Sequence, residues 1–401
     1  MAEGKLLRPK VAVFGLGRIG TIHLRHIVQS CLYDVAYLID VTAMHEKIRT
    51  MINSYSLRDA VVCSPDETDK VLSDSALDAV IICTTVQGRV DLITRSLNAG
   101  KHVFAEKPLA LKEEDVAECY KTATRNNKTL QCGFNKLVSL SPDSRSRDFA
   151  RARRNMEELK FEATVKSTSG IFRGPCLPNS LFCIAYRSYE IDHCSLFSPF
   201  TFKFAIIESV YEITKTYCVL FLHKVLSYYR QLMILTGGFL TDSVVHDLDL
   251  LVWLAGERPN SVFAFGHAQS PMIKECGDYD SVNVILKFPS GLLAFVENFR
   301  GVSYGYDQRY EVLGTNACAV IENPKESQLN LWDETGMHSD LMWQNAVTRY
   351  TEGLKKEIQH FAAVVKGESN CIVKGEEVTF VSRLCSSATE SLQRGQVINL
   401  T

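Results

Sequence analysis

Lys107, in the run Glu106-Lys107-Pro108, and the trio Asp242, His246 and Asp249 are the side chains whose types and spacing could do chemistry together. Oxidising an alcohol requires a base that takes the hydroxyl proton while hydride leaves the carbon, and an imidazole suits this near neutral pH. An ammonium beside the oxygen can orient the hydroxyl and stabilise the developing alkoxide. A carboxylate near the imidazole can fix its orientation. Spacings of four and three put Asp242, His246 and Asp249 on one face of a helix. The Asp242–His246 pair would also suit half a metal site, but a lysine held beside a metal would be repelled by it, so no metal is expected. Singly, each residue has an ordinary reading: the histidine as a structural hydrogen-bonder, the lysine as a solvated surface group. The case rests on their combination.

A second constellation lies near the start of the chain. Gly15-Leu16-Gly17-Arg18-Ile19-Gly20 follows an apolar run at 11–14 and precedes a helix-like run at 21–29. A second apolar run, 35–39, ends in Asp40, twenty residues after Gly20. Strand, glycine turn, helix and strand ending in an acid form the fingerprint of a dinucleotide site. Gly15 permits the tight turn, Gly17 lets backbone approach a pyrophosphate, and Gly20 lets the helix pack on the strand. Arg18 and Ile19 lie at the helix N-terminus, where N–H groups and the dipole favour phosphate. Asp40 can accept hydrogen bonds from ribose hydroxyls and would repel a 2′-phosphate. Neither Val41 nor Thr42 supplies an arginine to hold one, so NAD is expected over NADP.

The elements that must position these residues can be read from the same pattern. Strand candidates at 11–14, 35–39, 79–83, 102–105 and 129–132 alternate with helical runs, among them 89–98, ended by Gly100, and 113–126. This alternation predicts a doubly wound parallel sheet of Rossmann type. Ligands bind such sheets outside the C-terminal strand ends. Gly15, Asp40, Thr84, Glu106 and Lys107 all fall there and should share one crevice. Later segments at 281–288, 292–299, 310–313 and 317–321 read as strands separated by Gly, Pro and Asn turns, with a hairpin turn at Pro289-Ser290-Gly291. They predict a C-terminal α+β domain with a mainly antiparallel open sheet, and 350–365 reads as a helix. The expected division is 1–134 for the cofactor domain and 135–401 for a substrate-binding and oligomerisation domain.

Composition narrows the class. At 401 residues, 46% hydrophobic and 22% charged, the chain suits a two-domain globular protein. A net charge of −2 gives no reason to expect nucleic acid or an anionic membrane as partner. Residues 1–10 hold no apolar signal core, and the C-terminal residues match no peroxisomal or ER-retention ending. Thirteen cysteines, none in a CxxC pair, read as reduced cytoplasmic thiols. The apolar stretch 196–222 is interrupted by Lys203, Glu208, Glu212 and Lys215, which argues against a membrane span. Residues 170–226 stand apart, with four of the thirteen cysteines, seven of the twenty phenylalanines and no steady period. They read as an atypical insertion, either an extra lobe or a segment foreign to the working protein.

With these motifs assembled, the chain resembles the Gfo/Idh/MocA oxidoreductase family. The carrying stretches are Gly15 to Gly20, Ala99-Gly100-Lys101-His102-Val103 leading to Glu106-Lys107-Pro108-Leu109, Gly133-Phe134-Asn135, Gly237-Gly238 with Asp242, His246, Asp247 and Asp249, and Tyr304-Gly305-Tyr306-Asp307-Gln308-Arg309. The last is similar to the family's inositol-oxidising branch. The resemblance implies a catalytic trio at Lys107, Asp242 and His246, with NAD held by Gly15, Gly17, Arg18, Ile19, Gly20, Asp40, Thr84 and Glu106. It implies substrate contacts near Asn135, Lys136, Asp249 and Tyr306, and a homodimer or homotetramer. The implied reaction is NAD-dependent oxidation of a cyclic polyol, myo-inositol foremost. A sugar or dihydrodiol substrate and a non-catalytic NAD-binding regulator are the alternatives. The family's Thr-Pro…His pattern is replaced by Thr84-Thr85…Arg89, and an expected Arg-rich run after Asn135 by Lys136-Leu137-Val138.

Overall fold

The first third of the chain forms six short strands whose residues are almost all apolar, as a sheet covered on both faces requires. The computed structural model describes residues 8–134, 230, 235–302, 304–314, 318–327 and 329–400, and the backbone of 164–170. The strands are β1 (Lys10–Phe14), β2 (Asp34–Ile39), β3 (Val61–Cys63), β4 (Ala79–Ile82), β5 (His102–Glu106) and β6 (Leu130–Gly133). They pair in parallel in the order β3-β2-β1-β4-β5-β6. This is the doubly wound order of dinucleotide-binding sheets, with its crevice where β1 meets β4. Helices α1 (Arg18–Ser30), α2 (His45–Tyr55), α3 (Thr68–Leu72), α4 (Arg89–Asn98) and α5 (Glu113–Arg125) supply the connections.

The second sheet is built differently. It comprises β7 (Thr164–Gly170), β8 (Ser261–His267), β9 (Ser281–Lys287), β10 (Leu293–Phe299), β11 (Gln308–Leu313), β12 (Cys318–Ile321) and β15 (Ile398–Asn399), in the order β12-β11-β7-β10-β9-β8-β15. All pairings are antiparallel except β7 with β10. Burial alternates along β9 and β10, one face inward and one outward, as expected of a sheet covered on one side. A small hairpin, β13 (Asn330–Asp333) and β14 (Gly336–Ser339), stands apart.

Helix α6 (Val245–Ala255) lies between β7 and β8 in the chain, and a short α7 (Pro271–Glu275) follows β8. Near the C-terminus come α8 (Ala346–Arg349), α9 (Thr351–Val365) and α10 (Gly375–Arg394). Helix α9 packs on α1, and its Ile358, Phe361 and Ala362 join the core formed by Val11, Val13, Leu24, Ile27 and Phe104. Helix α10 packs on α5 and β8. The atypical segment lies outside the described residues from 171 to 226, and Gly170 closes β7.

One expectation needs correction. The segment carrying Asp242 does not open as a regular α-helix. Residues Leu240–Val244 form a π-helical turn that passes into α6 at Val245. A π turn advances by five residues per hydrogen bond rather than four, so the simple i,i+4 face linking Asp242 to His246 is interrupted.

Candidate active site

The glycine turn is held by close packing. Gly15 has φ +85°, and a Cβ there would lie 2.8 Å from the backbone of Cys83 and Thr84. A Cβ on Gly20 would sit 1.8 Å from the Gly15 carbonyl, so α1 rests directly on the turn. At Gly17, by contrast, nothing lies within 4 Å of an added Cβ, and no side chain caps the helix. Open backbone at an uncapped helix N-terminus fits a pyrophosphate. Arg18 is exposed and Ile19 half-buried beside it. Asp40 sits at the end of β2 and binds the turn: its Oδ2 accepts from Leu16 N at 2.6 Å and its Oδ1 from Val41 N at 2.7 Å. Lys47 Nζ reaches the Leu16 carbonyl at 3.4 Å. Thr84 follows β4 and is half-buried.

Across the crevice, Lys107 Nζ donates to the Asp242 carboxylate at 3.0 Å and to the Asp242 carbonyl at 2.5 Å. Residues 135 apart in the chain thus meet at the end of β5. The two side chains keep 17% and 34% of their exposure, so the pair is partly shielded but reachable from solvent. Burial pushes the Asp242 carboxyl up, but the charge and hydrogen bond of Lys107, with Arg300 and Arg18 behind them, outweigh it and hold it below the usual range. The start of the π turn is fixed separately. Asp278 accepts from Phe239 N at 2.9 Å and from Arg300 Nη2 at 3.0 Å, and the Arg300 guanidinium lies 4.4 Å from the Phe239 ring centre.

His246 is half-buried in the first turn of α6, its ring edge-on to Phe134 with centroids 6.1 Å apart. Its neighbour Asp247 is fully buried and accepts from Asn298 Nδ2 at 3.1 Å, Gln308 Nε2 at 2.5 Å and Tyr310 hydroxyl at 3.0 Å. Those donors come from β10 and β11, so Asp247 ties the start of α6 to the second sheet.

Glu106 points into a buried cluster. His23 Nε2 donates to its Oε1 at 2.6 Å, the Lys107 backbone N–H lies 3.2 Å from Oε2, and Glu357 of α9 stands 3.7 Å from the same imidazole nitrogen. Burial raises the Glu106 pKa, but the His23 hydrogen bond and the charges of His23, Lys107 and Arg89 bring it below the ordinary value. Burial, then the nearby Glu106 charge, drives Glu357 the other way, well up. The surroundings thus favour ionisation of Glu106 over Glu357.

Asp249 and Tyr306 are buried, at 3% and 4% exposure. Tyr306 packs against Tyr350 and Arg349, and its backbone N–H is bound to the Trp343 carbonyl. Asn135 and Lys136 lie outside the described residues. Sequence reasoning missed His23, Asp278, Arg300 and Glu357. Each acts through a partner far away in the chain, and no local spacing signals that.

The fold and the crevice define a two-domain NAD-binding oxidoreductase. Residues 9–134 match the model of the oxidoreductase family with an NAD-binding Rossmann fold, and residues 223–320 match the GFO/IDH/MocA C-terminal domain. The chain belongs to the Gfo/Idh/MocA family. It is 27% identical over 393 residues to a myo-inositol 2-dehydrogenase of Thermotoga maritima, covering 98% of each chain. It is 25% identical to an inositol 2-dehydrogenase of Rhizobium meliloti, over 98% of this chain and 99% of the relative. A crystal structure of scyllo-inositol dehydrogenase from Lactobacillus casei, with bound NAD(H) and scyllo-inositol, has the same fold. Its TM-score is 0.72 at 19% identity, covering 98% of this chain and 99% of that one.

Proposed function

We propose that this enzyme oxidises a cyclic polyol, myo-inositol, at one ring hydroxyl to the 2-keto product. The observation that carries the reading is the Lys107–Asp242 pair just beyond the end of β5, with His246 four residues after Asp242 in the chain. NAD, when bound, supplies the hydride acceptor. Gly17 and the α1 N-terminus would hold its pyrophosphate, and Asp40 its ribose. His246 takes the hydroxyl proton. Lys107 polarises the same oxygen and offsets the negative charge that develops on it. Asp242 holds Lys107 in place and keeps the site close to neutral. The family resemblance assigns substrate contacts to Asn135, Lys136, Asp249 and Tyr306.

The nine cysteines among the described residues are unpaired, and no helix among those residues is long and apolar enough to cross a membrane. We place the enzyme in the cytoplasm. Phe265, Leu293, Leu313 and Val320 are exposed on the second sheet and suit assembly into a homodimer or homotetramer.

The test is NADH formation across a panel of inositols, hexoses and diols, with the inositols the best substrates. Higher efficiency with a hexose or a diol would replace the substrate. Lys107→Ala and His246→Ala should each cut kcat by roughly a hundredfold while NAD still binds. Near-normal turnover in His246→Ala would remove it as the base.

A further inference from the structure

Arg89 is an unusual residue to bury. It opens α4 with 4% exposure, and its guanidinium makes its hydrogen bonds to backbone carbonyls. Nη1 donates to the Glu106 carbonyl at 2.6 Å and also to the Pro108 carbonyl, and Nη2 donates to the Thr84 carbonyl. Those oxygens belong to the residue before Lys107, the residue after it, and the second residue beyond the end of β4. Carbonyls at strand ends have no ladder partner and need donors when buried. A planar guanidinium offers several N–H groups in a fixed fork, which a compact ammonium does not.

We infer that Arg89 is a positioning residue for Lys107: one guanidinium clamps both flanks of Lys107 and ties them to the end of β4. The inference rests on the proposed role of Lys107. Its physical basis is the contrast between side chain and backbone. The Lys107 side chain is long and flexible, and its Nζ has to stay on Asp242 while substrate enters. The clamp removes the backbone share of that freedom. It works alongside Glu106, whose Oε2 takes the Lys107 N–H, so residues 106–108 are held from two sides. Burying a cation is costly without good partners, and here the partners sit on both sides of the reactive lysine. The clamp does not touch the glycine turn, but it holds the carbonyls of Thr84 and Glu106, so its loss should weaken NAD less than it slows turnover.

The experiment is a double-mutant cycle on the NAD-loaded enzyme with saturating myo-inositol. Arg89→Met should lower kcat by about tenfold or more, because small displacements of a catalytic group are expensive in rate. The dissociation constant for NAD, read by fluorescence, should change by a smaller factor than kcat does. Arg89→Lys should recover part of the loss. In the Lys107→Ala background, Arg89→Met should cost no more than about twofold, because the group it positions is already gone. If the two losses multiply in full, Arg89 acts elsewhere and the inference falls while the role of Lys107 stands. If Lys107→Ala keeps its turnover, the functional reading falls and takes the inference with it. Should Arg89→Met fail to fold, the same cycle with Arg89→Lys decides.

Discussion

Asp247 and Glu357 are both fully buried carboxyls on helices from the later part of the chain. Asp247 accepts three hydrogen bonds from β10 and β11. Neither oxygen of Glu357 has a hydrogen-bond partner among the described residues, and its nearest polar neighbours are His23 and the charged Glu106. The contrast shows two ways to bury an acid. Three donors meet the Asp247 carboxyl where it stands, and these bonds tie two elements together. With too few donors, Glu357 keeps its proton and yields the charge to Glu106, which has His23, Lys107 and Arg89 around it. The first arrangement fixes the helix that carries His246. The second lies beneath Lys107, where a change of protonation would be felt at the site.

The widest break in this comparison should come from Asp247→Ala. It strands three donors at once, and at about 1 kcal/mol or more for each it should cost about 3 kcal/mol or more of stability. Urea unfolding measures this, and kcat should fall as well because His246 is the next residue. A loss below about 1 kcal/mol would mean that the donors find other partners.

The next effect is smaller and depends on pH. The folded pKa values of Asp242 and Glu106 are depressed, so their stabilisation is present above the ordinary carboxylate range and is lost as pH falls through the folded values. His26 is lowered to about 4, chiefly by burial. The unfolded chain therefore binds a proton there between pH 6.5 and about 4 that the native state does not, and stability should drop across that window. His26→Gln should flatten this part of the curve in thermal melts at stepped pH. An unchanged slope would assign the acid sensitivity to other groups.

Glu357→Gln should give the smallest change, and in the opposite direction. A raised folded pKa means its stabilisation is full below the ordinary glutamate value and is lost as pH rises. An amide of the same shape has no proton to lose. The variant should match the parent within about 1 kcal/mol at acid pH and exceed it in the alkaline range. A marked loss at every pH would show that the ionised form of Glu357 is the one the fold uses.

Much of the first sheet was legible because its strands are uninterrupted apolar runs such as Val80-Ile81-Ile82, and because Gly15 and Gly20 are required by close contacts. The hairpin of β9 and β10 was legible from its Pro289-Ser290-Gly291 turn. β7 was not: Thr-Val-Lys-Ser-Thr-Ser-Gly has no apolar stripe, yet it is a central strand between β10 and β11. Helix α10 carries a readable helical spacing at Val378, Val381, Leu384 and Ala388. At the site, motif reasoning found Lys107 and Asp242, which the fold brings together. Spacing alone could not reveal the π turn, because local hydrogen-bond shifts leave no periodic mark. Nor could it reveal the burial of Asp249, since α6 is covered on most sides and its hydrophobic face has no sharp edge.

The packing of α9 has a consequence for the order in which the protein can be finished. Chains leave the ribosome N-terminus first, and domains tend to fold as they emerge. Here the surface made by Val11, Leu24 and Phe104 waits for Ile358 and Phe361, and Tyr33 for the Ile358 carbonyl. The first sheet cannot complete its core until residues more than 200 positions beyond its last strand have been synthesised. During that interval its apolar face is open to solvent, and exposed hydrophobic surface of this kind favours aggregation of partly folded chains.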